Sequence, residues 1–504
     1  MAIARAWSVA LFGVDGVVVE IEADIGHGLP GVQLVGLPDA ALHEARDRVR
    51  AAVRNSDAQW PTTKVTLALS PAALPKGGSG YDLALASAVL AAADAVPAAA
   101  LRETVLLGEL SLDGRLRPVR GVLPGLLGAR KAGMRRAVVP VETLEEAGLV
   151  AEIEVLGART LREVLDWLRG EGELRSAPER ASGTDQPAGL DLVDVLGQPE
   201  ARWALEVAAA GGHHLLFTGP PGTGKTMLAQ RLCGLLPPLS MDDALEVTAI
   251  HSLAGALSTE SPLVVSPPFI APHHSTSVPA LIGGGSGVAR PGAVSKAHRG
   301  VLFVDEAPDW GPHRLDSLRT ALEEGEVRLS RRDATVHYPA RFQLVLAANP
   351  CPCAPARDND CTCPPSARRR YLGKLSGPLL DRVDLRVRMR PSSAWAYADQ
   401  GEVDDTATVR ARVRQARERA ILRWAAHGWR SNADVPGPAL RREYRIPRRA
   451  LNLLERGLDA GAVTARGADR CLRIAWTLCD LDGAETPDAA HIESALGFRD
   501  RRAA

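Results

Sequence analysis

The 504-residue sequence predicts an α/β protein in three parts: a mixed α/β domain over 1–168, a parallel-sheet domain over 191–390 and a helical domain over 391–504. Three observations carry this. A glycine-rich octet, GPPGTGKT at 219–226, lies between an apolar strand-like run and an amphipathic helix-like run. Around it strand and helix patterns alternate, which argues for a parallel sheet covered on both faces. Beyond about Pro391 the strand patterns stop and arginine-rich helical stretches follow.

A chain this long exceeds one hydrophobic core, so two or three domains are expected. Hydrophobic residues at 46% and charged residues at 24% describe an ordinary globular composition. Net charge is zero, so no global basic signal points to nucleic acid. The charge is uneven, with twelve arginines against three acids between Thr408 and Ala450. Such a run is either a solvated helix face or a phosphate-binding surface. No apolar run approaches the ~20 residues of a membrane span. The apolar stretch near the N-terminus is broken by Asp15 and followed by strand-like alternation, unlike a signal peptide. The expectation is a cytoplasmic protein with no membrane partner. Its cysteines are then reduced, and clustered ones are metal ligands before they are disulfides.

In the front part, AVVPVETLEEA reads as strand, turn and helix. TLREVLDWL reads as an amphipathic helix with Leu161, Val164, Leu165 and Leu168 at helical spacing. Residues 169–190 are polar, rich in Gly, Pro and Ser and without period, which predicts a linker. GQPEARWALEVAAAG follows as a helix with Pro199 near its first turn. HHLLFTG, GVLFVDEA and RFQLVLAAN are buried strands. VRARVRQARERAILRWAA, RRALNLLERGL and ADRCLRIAWTLCDL are the helices of the last part.

The octet Gly219, Pro220, Pro221, Gly222, Thr223, Gly224, Lys225 and Thr226 fits G-x-x-x-x-G-K-[ST] in the strand–loop–helix setting that the motif requires. Its glycines let backbone N–H groups turn inward onto phosphate oxygens, and the helix N-terminus favours the anion. Lys225 reaches the terminal phosphates of ATP, and Thr226 holds magnesium. GVLFVDE ends an apolar strand in Asp305 and Glu306, at the edge where nucleotides bind such sheets. Asp305 suits the magnesium, and Glu306 suits the polarisation of an attacking water.

The order of phosphate loop, strand–Asp–Glu, strand–Asn and GPLLDRVDL resembles an AAA+ ATPase of the magnesium-chelatase-like branch. FIAPHHSTSVPALIGGG, RPGAVSKAHRGVLFVDEAP and QLVLAANPCPC resemble the ComM/YifB family, and the likeness runs nearly from end to end. The resemblance implies a hexameric ATPase ring that drives DNA branch migration during natural transformation. It places Asn349 at the sensor position that orients the lytic water. It places Arg382 at the arginine finger, which serves the nucleotide of the neighbouring subunit. Arg466 matches the second sensor on the helical lid, with Arg470 as the other possibility.

The front stretch PKGGSGYDLALASA resembles the nucleophile region of Lon-type protease domains, with Pro75, Lys76 and Gly78 matching. The nucleophile position falls on Gly80, beside Ser79. RGVLPGLLGARKAGMRRAVVP aligns with the second Lon segment through Gly121, Gly133 and Pro140, and the lysine position falls on Gly125. Glycine offers neither nucleophile nor base. The implied role is a Lon-like fold without peptidase activity, kept for ring building or binding.

Two features favour DNA as the partner. EGEVRLSRRDATVHYPARF reads as a hairpin, and in related rings such an insertion points its tip, here Arg331 and Arg332, at the central pore. The second feature is the arginine-rich helical region. The alternatives are a chelatase motor that inserts magnesium into a porphyrin, which resembles only the central domain, and an ATP-switched scaffold on DNA. His273 and His274 are either hydrogen-bonded loop residues or contacts to nucleic acid in the pore.

Four of seven cysteines cluster in PCPCAPARDNDCTCPP, as C-x-C, seven residues, then C-x-C. Cys351, Cys353, Cys361 and Cys363 can enclose one tetrahedral zinc, although pairs are more often spaced C-x-x-C. Free thiols and a disulfide pair are the alternatives.

Overall fold

A computed structural model of the chain describes residues 3–36, 40–72, 74, 76, 78–178, 189–258, 262–285, 289–331, 334–356, 360–391, 403–444, 446–461 and 463–499. In the front part, alternating burial along Ala4–Phe12 turns one side of that strand to the core. It pairs antiparallel with Asp15–Gly26 in an eight-stranded sheet. The sheet runs from Arg175–Ser176 at one edge to Gly31–Val35 at the other. The helix Asp82–Ala92 is buried along its whole length.

The helix Leu161–Arg169 shows how the local code works. Thr160 caps it by accepting from Glu163 N at 3.2 Å, and Gly170 ends it at φ 78°. Its buried face is Leu161, Val164, Leu165 and Leu168, the residues that the spacing selects. Each such side chain contributes ~1.5–3 kcal/mol on burial.

The expected linker begins later than its composition indicates. Arg175 and Ser176 form an edge strand, paired antiparallel with Gly157 and Leu156. Both side chains are exposed, so no hydrophobic alternation marks the strand. Residues 179–188 of the linker lie outside the described residues.

The central sheet has five parallel strands in the order Phe269–Ile270, Val301–Val304, Gln343–Ala348, Leu215–Thr218, Leu385–Arg388. The three middle strands are buried at every residue, which is why they read as unbroken apolar runs. All their carboxyl ends open on one edge, which gathers the loops that follow them. The hairpin is present, with Glu326–Arg331 paired to Ala334–Pro339 in a separate two-stranded sheet.

The last part is helical, with Thr406–Trp424, Arg448–Asp459, Ala465–Asp482 and Ala489–Gly497 as its longer helices. Val409, Val413, Trp424 and Ile474 share one hydrophobic cluster with Leu215 and Phe217 of the central sheet. The arginine run fastens this contact. Arg410 donates to Gly234 O, Arg412 to Glu206, Arg417 to Ala209 O and Arg430 to Asp243. Arg419 and Arg423 donate to Asp480, Arg441 to Asp469, and Arg414 faces Glu418 at 3.9 Å. At least eight of the twelve arginines thus find partners in their own chain. Most of the run is internal stapling and not the free phosphate surface that its composition suggested.

The front part meets the central part through the helices Val122–Lys131 and Met241–Ala254. Ala249 of the second joins Val122, Leu123 and Leu126 of the first in one buried cluster. Gly121 opens the first helix at φ 75°, and a Cβ there would lie 2.4 Å from Leu11 and 2.9 Å from Leu253. Both the backbone and the space require glycine at this contact.

Candidate active site

The strand Leu215–Thr218 delivers the octet, and the helix Lys225–Leu235 starts at its end. Gly222 and Gly224 take φ 77° and 90° with open space around them, so conformation is what demands glycine there. Gly219 is required by space, since a Cβ would lie 2.6 Å from Met389 O. Thr223 braces the turn by donating to Pro220 O at 2.9 Å.

Three neighbouring strands then bring the chemistry together. Lys225 Nζ donates to Gly219 O and Pro220 O, both at 2.8 Å, and to Asn349 Oδ1 at 3.2 Å. Burial lowers the Lys225 pKa, and the Asp305 and Glu306 carboxylates oppose that shift. Thr226 Oγ1 donates to Asp305 Oδ2 at 3.0 Å. A hydroxyl and a carboxylate oxygen at this separation fit two adjacent corners of a magnesium octahedron, whose edge is ~2.9 Å for Mg–O of 2.0–2.1 Å.

Glu306 is built under strain. Its backbone is left-handed, at φ 48° and ψ 44°. That region costs a non-glycine residue ~1–2 kcal/mol, and such strain gathers at functional sites. Two bonds hold the turn: Glu306 N donates to Asp305 Oδ1 at 2.9 Å, and Trp310 Nε1 donates to Asp305 O at 2.9 Å. The side chain faces outward, and His274 Nδ1 stands 3.6 Å from its Oε2. Arg314 fixes that histidine's backbone by donating to His274 O at 3.1 Å. His273 is a loop residue, with Ser275 Oγ at 2.8 Å from its Nδ1. No local pattern signals the His274–Glu306 meeting, because 31 residues lie between the two.

The arginines lie apart from this group. Arg382 is buried and donates to Pro378 O and Glu323. Its Nε and that of Arg319 are buried without a hydrogen-bond partner. Burial, then the charges of Arg319, Arg466 and Arg470, lower the Arg382 pKa, which places Arg466 in the same neighbourhood. Arg470 is engaged with the buried Asp384. Asp384 also accepts from His214 N at 3.0 Å. Burial would raise its pKa, but Arg470 and His213 hold the carboxyl well below the usual range. The sequence reading passed over Asp384, although it is the second acid of LLDRVDL. Of the hairpin tip, the Arg331 backbone pairs with Ala334. The Arg331 side chain and all of Arg332 lie outside the described residues.

The positions aligned with the Lon dyad hold no such pair. Gly125 faces Val9 and Leu107. Ser79 Oγ donates to Glu109, and Lys76 Nζ donates to Gly36 O at 3.2 Å and to Pro71 O. The four cysteines do meet, with every Sγ within 4.8 Å of the others.

Comparison with known proteins matches these units. A model for magnesium chelatase subunit ChlI matches residues 191–396, a model of its C-terminal part matches 403–499, and a further ChlI-subunit model matches 21–143. An uncharacterised protein of Mycobacterium tuberculosis is 60% identical over 499 residues, covering 99% of each chain. YifB of Escherichia coli is 41% identical over 97% of this chain and 96% of its own. Competence protein ComM of Haemophilus influenzae is 39% identical over 99% of this chain and 98% of its own. The magnesium-chelatase 38 kDa subunit of Rhodobacter capsulatus is 28% identical over 34% of this chain and 53% of its own. Collinear likeness from end to end, around a phosphate loop and an Asp–Glu strand end that meet in space, makes this chain a member of the ComM/YifB family of magnesium-chelatase-like proteins.

Proposed function

We propose that the protein is an ATP-hydrolysing AAA+ motor that assembles as a hexameric ring and acts on DNA, with branch migration in recombination during natural transformation as its work. The observation that carries this is the meeting of Lys225, Thr226, Asp305 and Asn349 beside the strained Glu306 turn. The full-length likeness to a competence protein supplies the biological setting.

Lys225 and the amides of the octet bind the phosphates of ATP. Magnesium, held by Thr226 and Asp305, would supply Lewis-acid charge at those phosphates. Glu306 orients a water and draws off its proton, and Asn349 fixes the geometry between Lys225 and that water. Arg382 serves the nucleotide of the neighbouring subunit, and Arg466, on the helical lid, acts as the second sensor. The hairpin tip, Arg331 and Arg332, contacts DNA phosphates in the pore. Zinc is a further inorganic component, at Cys351, Cys353, Cys361 and Cys363. The front domain, with the Lon-like dyad replaced by Gly80 and Gly125, builds or guides the ring in the cytoplasm and has no peptidase activity. The proposed boundaries place that domain at 1–168, extended by the edge strand, then the ATPase core at 191–390 and the lid at 391–504.

A chelatase motor is the second reading, because the matching family models carry the chelatase subunit's description. The short match to the curated chelatase subunit weighs against it. The test is DNA binding and strand exchange by the purified protein, with ATP and with a non-hydrolysable analogue. Expected are binding that weakens steeply with salt and branch migration only with ATP. Arg331→Ala with Arg332→Ala should cut DNA-stimulated ATPase while leaving basal ATPase. Exchange that runs equally with the analogue would favour an ATP-switched scaffold, and no DNA binding at low salt would refute the DNA reading.

A further inference from the structure

The segment from Ala348 to Tyr371 has almost no core of its own. Among its described residues between those two, Cys351 alone is a buried hydrophobic residue. Yet both ends of this segment touch the catalytic machinery. Asn349, two residues before Cys351, accepts from Lys225. At the other end, the helix Pro365–Leu372 places Tyr371, whose hydroxyl donates to Asp309 Oδ2 at 3.4 Å. Lys374 Nζ faces Asp309 Oδ1 at 3.6 Å. Asp309 sits in the short helical turn after Glu306, and its N–H donates to Glu306 O at 2.7 Å. Something other than apolar burial must hold the segment.

The four thiols stand where a metal would do so. Cys351 Sγ lies 3.3 Å from Cys353 Sγ and 3.4 Å from Cys361 Sγ, and Cys353 lies 3.6 Å from Cys361. All four Sγ atoms fall within 4.8 Å of one another. A disulfide needs ~2.05 Å between sulfurs, so no pair is bonded. A tetrahedron of Zn–S bonds at ~2.3 Å has an S···S edge of ~3.8 Å, close to this spacing. The helix Pro365–Leu372 begins two residues after Cys363, and its N-terminal end favours the net negative charge of four thiolates on one divalent ion.

We infer that Cys351, Cys353, Cys361 and Cys363 hold one structural zinc ion, and that this zinc pins Asn349 on one side and the Tyr371–Asp309 contact on the other to the Glu306 turn. Four protein ligands leave no open position, so the metal is a fastener and not a catalyst. The consequence for ATP turnover rests on the ATPase reading above; the zinc and its bracing do not.

The experiment starts with metal analysis of full-length protein purified without chelator or added zinc. About one zinc per chain is expected, lost in the double variant Cys361→Ser with Cys363→Ser. Because Cys351 is buried, Cys353→Ser with Cys363→Ser serves as a second variant, and circular dichroism checks its folding. Cobalt(II) in place of zinc should give the intense thiolate charge-transfer bands of a four-sulfur tetrahedral site. Hydrogen exchange over 349–372 should quicken when zinc is removed, whether or not the protein hydrolyses ATP. In a protein that does, zinc loss should lower turnover ~10-fold or more with ATP affinity retained. Folded protein with four titratable thiols and no metal would overturn the site, as would iron in stoichiometric amount. Unchanged exchange after zinc loss would overturn the bracing role. A zinc-loaded wild-type protein without any ATPase activity would refute the ATPase reading and leave the zinc result standing.

Discussion

Replacing Glu306 with Gln tests the chemistry at its centre. The side chain is half exposed, and the His274 ring nitrogen stands 3.6 Å from it. Gln keeps the length and the left-handed backbone strain, and the two bonds that hold the turn go to Asp305, not to the Glu306 side chain. What disappears is the charge that draws a proton from water. Loss of a general base costs 10²–10⁴ in rate, so turnover should fall by ~100-fold or more, a barrier increase of ~2.7 kcal/mol. ATP affinity should hold, because Lys225 and Thr226 are untouched. Phosphate release at saturating ATP and magnesium, beside nucleotide binding at equilibrium, separates the two effects. Glu306→Gly supplies a control for strain. It relieves the left-handed penalty of ~1–2 kcal/mol and adds unfolded-chain entropy of ~0.4–1 kcal/mol, so it should melt close to the parent while equally inactive. Normal turnover by Glu306→Gln would remove Glu306 from its assigned role.

His274→Ala should change turnover by less than ~5-fold, since an exposed pair is worth ~0–1 kcal/mol; a 100-fold loss would make His274 a direct participant. Arg382→Ala subunits mixed with Lys225→Ala subunits should regain part of the ATPase activity that each lacks, because mixed interfaces pair an intact finger with an intact loop. No recovery in mixed rings confirmed by mass would move the finger elsewhere. His214 makes stability fall in acid. Burial lowers its pKa to about 4, and its Nδ1 accepts from Leu344 N at 3.0 Å, which requires an unprotonated nitrogen. The unfolded chain binds this proton near pH 6.5 and the folded one only near 4, so stability is full above 6.5 and declines as pH falls toward 4. The residue as a whole is partly accessible, so ~3 kcal/mol is an upper limit. Thermal melts across that window should show the decline, and His214→Asn, which retains an acceptor, should reduce it.

What the sequence made legible was whatever is encoded within a few residues. The octet, the Asp–Glu strand end and the helix with Leu161 and Leu168 on one face needed only local period and turn chemistry. The edge strand at Arg175 was hidden because a strand with both side chains in water has no alternation to read. His274 was hidden for a different reason. It reaches Glu306 through the pairing of Phe269–Ile270 with Val301–Val304, a tertiary fact that no local pattern encodes. The arginine run misled in the opposite direction. Composition registers twelve positive charges but not that Arg417 ends on Ala209 O or Arg412 on Glu206.

Asp384 shows why the same kind of residue can be a staple or a sensor. A buried carboxylate needs compensation, and it comes from both sides of the lid contact: the His214 amide from the sheet and Arg470 from the helix Ala465–Asp482. Arg499, near the C-terminal end, donates to Val383 O at 2.7 Å on the same segment. The lid is thus fastened to the chain two residues beyond Arg382 by charge as well as by apolar packing. Removing one partner of such a buried pair costs ~3–5 kcal/mol, far more than an exposed pair. Arg470 is therefore committed to holding the lid, and releasing it to meet a phosphate would leave Asp384 uncompensated. Arg466, one turn earlier on that helix, is exposed and makes no hydrogen bond among the described residues. Of the two arginines that the sequence offered for the second sensor, Arg466 is the one whose side chain can turn toward a nucleotide without cost to the fold.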